Sequence, residues 1–225
     1  MSFFFNQPDP KRHRFPIPND VWKWKLKPQG FAILAYLYYL HVHCRKNGSP
    51  SADEIASQLH MSKDMAAKQI AELNHRGLLD QHMVPILKSN SKNFFSLPNE
   101  LFFLNIGHGA ITVYAYLLHC ENRRTHQCYP SCRTIAAAVH LSASTVMKHI
   151  TKLEDQQLII VEKTNYIDNH GMKWNGNNLY TIRPIQAAMD YCYRQQILRL
   201  EEQQKWDQAQ KHLGWNPESA PFTSL

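Results

Sequence analysis

Pro50-Ser51 recurs as Pro130-Ser131, 80 residues further on, and the rest of the chain follows at the same offset. Phe15 falls on Phe95, Pro18-Asn19 on Pro98-Asn99, and Ala35-Tyr36-Leu37 on Ala115-Tyr116-Leu117. Ile55-Ala56 meets Ile135-Ala136, His60 meets His140, and Ser62 meets Ser142. Lys68, Ile70, Leu73 and Leu78 then fall on Lys148, Ile150, Leu153 and Leu158. A gapless match through helices, turns and caps means two copies of one small unit.

Each copy spells the same order of elements. In the first, residues 29–45 form an apolar helix that Asn47-Gly48 ends. Ser51 with Glu54 makes a capping box for a second helix. His60-Met61 is a turn, and Ser62 caps a third helix to about His75. Its buried face is Ala66, Ile70 and Leu73. Gly77 stands where a helix-ending glycine belongs, and Leu78–Val84 reads as a strand. In the second, Ile111–His119 is the first helix, Ser131 caps the next, and Leu141 makes the turn. Ser142 caps a third helix that buries Val146, Ile150 and Leu153. Leu158–Val161 and Leu179–Ile182 are strands, with turn signals at Asn169-His170-Gly171 and Asn175-Gly176-Asn177.

This period is too long for a solenoid repeat and too short for a large enzyme domain. It suits a winged helix. The expected fold is mainly α with small β-hairpin wings: tandem winged helix-turn-helix domains plus a long C-terminal helix. The boundaries are a basic arm at 1–14, domains at 15–87 and 94–183 joined by a linker at 88–93, a helix at 184–213 and a tail at 214–225. Pro8, Pro10, Pro16 and Pro18 keep the start of the chain extended.

A net charge of +7 and a pI near 9.1 favour an anionic partner. Residues 1–30 hold six Lys/Arg against two acids, and residues 91–183 hold nine against six. Residues 184–225 hold four against five, so the basic excess lies in the arm and the second copy. Five irregularly spaced cysteines and the absence of a signal peptide fit a reduced, cytoplasmic protein. The most apolar stretch, Phe31–Val42, is shorter than the roughly 20 residues a membrane span needs. No P-loop, GxGxxG or HExxH is present, so the chain is not expected to be an enzyme and no cofactor is implied. Cys120, His126, Cys128 and Cys132 have zinc-ligand chemistry. Their spacing matches no standard finger, however, and the first copy has Leu40, Lys46, Gly48 and Ala52 there, so no metal is expected.

A helix of this size fits the major groove of double-stranded DNA, and capped helix starts suit phosphate oxygens. The expected contacts in the second copy are Ser131, Arg133, Ser142, Ser144, Thr145, Lys148 and Thr151, with Lys163, Lys173 and Asn175 from its wing. In the first copy they are Lys63 and Lys68, beside an unfavourable Asp64, and the arm adds Lys11, Arg12 and Arg14. Because the third helix of the second copy carries no acid before Glu154, that copy is the expected principal reader. Ile185, Met189, Cys192, Ile197 and Leu200 give the C-terminal helix a ragged apolar stripe, which favours a homodimer through that helix.

Three stretches resemble helix-turn-helix proteins of plasmids and conjugative elements of Gram-positive bacteria: Phe94-Phe95-Ser96-Leu97-Pro98-Asn99-Glu100-Leu101, Gln127-Cys128-Tyr129-Pro130-Ser131, and Asn175-Gly176-Asn177-Asn178-Leu179-Tyr180-Thr181-Ile182-Arg183-Pro184. Leu141-Ser142-Ala143-Ser144-Thr145-Val146-Met147-Lys148 is similar to that family's turn and recognition helix. The resemblance covers about residues 94–190, and it extends to the winged-helix domains of plasmid replication initiators. It implies DNA binding, in transcriptional regulation of a mobile element or alternatively in replication. A third reading, from the fold alone, is a protein-interaction adaptor.

Overall fold

The computed structural model describes residues 13–43, 50–86, 93–167 and 170–212. The protein is mostly helical with small antiparallel sheets. Its elements are β1 (Arg14–Pro18), α1 (Pro28–His43), α2 (Ala52–Gln58), α3 (Lys63–His75), β2 (Phe94–Pro98), α4 (His108–Cys120), β3 (Gln127–Cys128), α5 (Cys132–Val139), α6 (Ala143–Asp155), β4 (Ile159–Glu162), β5 (Asn165–Ile167), β6 (Lys173–Asn175), β7 (Leu179–Ile182) and α7 (Ile185–His212). A 3-10 segment follows β1 at Asn19–Trp24, and its counterpart follows β2 at Asn99–Phe103.

Local chemistry sets the helix starts. The Ser51 hydroxyl accepts from the Glu54 N–H at 3.1 Å while the Glu54 carboxylate accepts from the Ser51 N–H at 2.7 Å. Ser62, Ser131 and Ser142 cap α3, α5 and α6 with the hydroxyl half of this arrangement, accepting from the N–H groups of Met65, Thr134 and Thr145. Two backbone bonds, Gly77 N–H to Asn74 and Leu78 N–H to Leu73, close α3. The second copy repeats them with Gln157 at φ 60°, where the first copy has Gly77 at φ 62°. Ala66, Ile70 and Leu73 are buried, as are Val146, Ile150 and Leu153.

The two copies meet through β1 and β2. Pro16 lies opposite Ser96, its own counterpart at the repeat offset, and the pairing runs symmetrically outward: Phe15 faces Leu97, and Ile17 faces Phe95. Pro16 is tolerated because a two-stranded sheet leaves each strand a free edge. Beyond the strands, the Asn19 N–H donates to the Asn93 carbonyl at 3.0 Å and the Asn99 N–H to the His13 carbonyl at 2.9 Å. Exchanging the copies turns one of these bonds into the other.

The 3-10 segments cross over. Trp22 leaves the first copy and stacks on Phe95 of the second at 5.9 Å, edge-on to Tyr116 at 5.1 Å and tilted to His119 at 6.0 Å. Its counterpart Phe102 stacks on Phe15 at 5.8 Å, edge-on to Tyr36 at 5.2 Å and tilted to Tyr39 at 5.6 Å. Behind them α1 packs on α4, and the Thr112 hydroxyl reaches the Pro28 carbonyl at 3.4 Å as well as its own-turn His108 carbonyl at 2.8 Å. The buried side chains of both copies accordingly form one continuous hydrophobic cluster.

Three sequence expectations change. Leu78–Val84 forms no strand: Asp80 Oδ1 accepts from the N–H groups of His82 and Val84, each at 2.8 Å, and the chain turns there, leaving a single bridge between Leu79 and Pro85. The same bonds, Val84 first, hold the Asp80 carboxyl below its usual range. Asn175, expected in a turn, lies in β6 opposite Asn165, because the second copy's wing holds an extra hairpin of β5 and β6. Helix α4 starts at His108, three residues before the expected Ile111. Helix α7 divides in two. Ala188 is buried and Ile185, Met189 and Cys192 pack on the core, whereas Tyr193, Leu198, Leu200 and Trp206 are exposed. The expected linker at 88–93 falls mostly outside the described residues, and the tail at 214–225 lies wholly outside them.

Two half-buried imidazoles tie this core to pH. Desolvation lowers the pKa of His119, and desolvation together with the Lys152 charge lowers that of His149. His119 sits among the Trp22, Phe95 and Tyr116 rings with Nδ1 3.3 Å from Asn19 Oδ1. A depressed folded-state value means the unfolded chain binds the proton first. Stability is therefore full above the unfolded value of about 6.5 and is lost as pH falls through the lower folded value. His119→Tyr, which copies Tyr39 of the first copy, should flatten the loss of stability below pH 6.5 in denaturant melts at several pH values. An unchanged slope would show that His119 is not part of it.

Candidate nucleic-acid interface

Helix α6 is held at its start by its cap and at its back by α4 and α5. The Ser142 hydroxyl accepts from the Thr145 N–H at 3.1 Å and lies 2.7 Å from the Thr145 hydroxyl and 2.9 Å from that of Ser144. The turn before it passes through His140 at φ 53°, and His60 does the same at φ 51° in the first copy. That left-handed residue sets the angle between the two helices of the motif. Gly109 lets the start of α4 approach α6, because a Cβ there would collide with the His149 ring. In the first copy a Cβ on Gly30 would come to 3.0 Å from Gln69 Oε1, and Gln69 is the counterpart of His149. Close approach without a side chain thus fixes both third helices.

With Val146, Ile150 and Leu153 turned inward, the outer face of α6 is Ser144, Met147, Lys148 and Thr151, spaced i, i+3, i+4 and i+7. All four are exposed and none is acidic. Thr145 is half-buried, and its hydroxyl is engaged by the cap. Arg133 stands exposed in the first turn of α5, after Ser131, whose hydroxyl accepts from the Thr134 N–H at 3.0 Å. The wing beside α6 is the sheet β3–β7–β4, extended by β5 and β6. Glu154 secures its base by accepting from the Val161 N–H at 3.1 Å, which turns that acid away from solvent duties. Lys163 and Lys173 are exposed on the wing, and Asn175 lies in β6.

The first copy offers a different face. Asp64, Ala67, Lys68 and Ala71 occupy the corresponding positions of α3, all exposed. Lys63 is held by Asp53 at 2.6 Å, a pairing across two helices that sequence spacing does not reveal. Arg14 sits in β1 opposite Pro98, in the paired strands between the copies. Lys11 and Arg12 lie outside the described residues.

Sequence reasoning missed Met147, which is 60% exposed in the middle of the α6 face, although its spacing from Ser144 and Thr151 places it there. It also missed the wing-tip side chains Ile167 and Met172, which are exposed. Cys132 Sγ lies 3.8 Å from the Tyr180 hydroxyl, and His126 Nδ1 lies 2.6 Å from Glu121 Oε1. Burial pushes the Cys128 thiol up to about 12. Among the described residues no group of three or more His, Cys, Asp or Glu is placed to hold a metal.

A helix-turn-helix domain family matches residues 104–159, which span α4, β3, α5, α6 and the first residue of β4. The second copy therefore carries a helix-turn-helix domain, the class of module that places a helix in the DNA major groove. A solved structure described as a possible transcriptional regulator from Methanosarcina mazei Go1 is similar over 53% of this chain and 93% of its own, at 15% identity and a TM-score of 0.33. That likeness is too slight to bear on fold or function. No curated protein matches the chain. Among the described residues no helix is long and apolar enough to cross a membrane.

Proposed function

We propose that the chain is a sequence-specific double-stranded-DNA-binding protein, built from two helix-turn-helix domains at 15–87 and 94–183 of which the second is winged, and a transcriptional regulator of a bacterial mobile element. The observation that carries the DNA reading is the acid-free face Ser144, Met147, Lys148 and Thr151 on α6, inside the matched helix-turn-helix domain and beside a wing that exposes Lys163 and Lys173. Hydroxyls, a thioether and one cation can take base edges, thymine methyls and phosphates. The mobile-element context rests on the resemblance of residues 94–190, which gives replication as the alternative output.

Binding should weaken steeply with salt, each neutralised phosphate contributing about −0.9 to the slope of log K against log salt. Lys148→Ala should cost about 1–3 kcal/mol on the preferred sequence if its contact is to a base, whereas Lys68→Ala should weaken all sequences alike. A salt slope near zero would remove the DNA reading; relaxed specificity on Lys68→Ala with no effect of Lys148→Ala would reverse the assignment of reader and anchor.

The exposed Leu198, Leu200 and Trp206 support self-association through the outer part of α7. Truncation after Gln196 keeps the packed turns around Ala188 and removes those side chains. Sedimentation should show the full chain associating and the truncated chain monomeric; equal masses at micromolar concentration would exclude α7 as the contact.

A further inference from the structure

The two halves are related as subunits of a symmetric dimer are related, within one chain. Three independent sets of contacts carry this. In the strand pair, Pro16 faces its own counterpart Ser96, and every other pair maps onto its mirror when the copies are exchanged. The flanking bonds Asn19 to Asn93 and Asn99 to His13 are interconverted by the same exchange. So are the ring contacts. Trp22–Phe95 corresponds to Phe102–Phe15, Trp22–Tyr116 to Phe102–Tyr36, and Trp22–His119 to Phe102–Tyr39. Phe95–His119 at 5.5 Å corresponds to Phe15–Tyr39 at 5.8 Å, and Tyr116–His119 at 5.8 Å to Tyr36–Tyr39 at 5.9 Å. A translated or simply tethered pair of modules would not produce such reciprocity. A local two-fold axis passing between Pro16 and Ser96 does.

The axis also places the two third helices. α3 packs on α1, α1 on α4, and α4 on α6, so α3 and α6 are the outer members of that series and are exchanged by the two-fold. At roughly 8–10 Å per packed helix pair, three steps in line put the two axes about 24–30 Å apart, and the side chains that face a duplex stand beyond those axes. This spacing is near one turn of B-DNA, roughly 34 Å.

Resting on the DNA reading above, we propose that a single chain grips an inverted pair of half-sites about one helical turn apart, with α3 on one and α6 on the other. The half-sites are unlike, because the exposed faces are unlike. α6 presents Ser144, Met147, Lys148 and Thr151; α3 presents Asp64, Ala67, Lys68 and Ala71. Asp64 is a poor neighbour for phosphate but an acceptor for the cytosine amino group, so the α3 half-site favours cytosine there. An imperfect palindrome read by one molecule follows. Ordinary homodimers read perfect ones, since their two helices carry the same residues.

Selection from a random duplex pool with the full chain, followed by the mass of the complex on the selected duplex, tests this. The expected result is two non-identical half-sites in inverted orientation and one minimal duplex per chain, chains joined through α7 each holding a duplex of their own. Inserting about half a helical turn, roughly 5 base pairs, between them should reduce affinity at least tenfold, and so should reversing one half-site. Ser144→Asp should change base preference in one half-site only, and Asp64→Ser in the other only. Direct repeats, a lone half-site bound as tightly as the pair, or Ser144→Asp altering both half-sites equally would overturn the proposal while leaving DNA binding intact. The last of these would mean that two chains each present α6. No enriched sequence and no salt-sensitive binding would instead defeat the DNA reading beneath it.

Discussion

The ring of Trp22 sits among side chains of the second copy, and the ring of Phe102 among those of the first, so each copy is completed by the other. Aromatic pairs contribute roughly 0.5–1.5 kcal/mol each beyond the area they bury, and here several converge on each ring. Among the ring contacts of the described residues, Trp22 also stacks on Phe31 of its own copy at 5.1 Å, whereas the ring contacts of Phe102 are all to the other copy. With β1 on β2 and α1 on α4, this exchange leaves the copies no independent orientation. The direction of α3 relative to α6 is therefore a property of the core. On the proposed DNA reading, the spacing and polarity of α3 and α6 are then set before any DNA is met.

Symmetry is kept where the copies touch and abandoned where they face solvent. Phe15, Ile17, Phe95 and Leu97 are buried in matching positions. The helix faces and wings have diverged: one copy ends α3 in a tight loop governed by Asp80, while the other extends a two-part hairpin beside α6. Such a division fits a body with one scaffold and two different contacts. The packed turns of α7 lie on the 3-10 segment of the second copy, a further departure from the pair.

Much of this was legible in the sequence because it is local. The capping serines, the left-handed end at Gly77 and the i, i+4, i+7 buried faces each depend on residues within two turns of one another. The strand pair and the crossing 3-10 segments were not legible as contacts. Phe15-Pro16-Ile17-Pro18-Asn19 reads as a proline-rich arm, and its partner lies roughly 80 residues away. The signal was nonetheless present in the repetition of Phe15 and Pro18-Asn19 at Phe95 and Pro98-Asn99, since a loop with no packing duty has little reason to recur. Leu78–Val84 misled because it falls at the repeat offset on the expected strand Leu158–Val161, whereas one carboxylate taking two N–H groups turned the chain. Lys63 reads as a free cation in the sequence, whereas Asp53 of the preceding helix pairs with it.

Calorimetric unfolding of the full chain, with Trp22→Ala alongside it, tests the central claim most directly. If the exchanged rings and strands make the copies one cooperative body, the described core unfolds in a single transition whose calorimetric and van't Hoff enthalpies agree. Trp22→Ala should then lower that one transition by about 3 kcal/mol, the low end for loss of a large aromatic, because Trp22 is only partly buried. Two separable transitions, only one of them moved by Trp22→Ala, would contradict it.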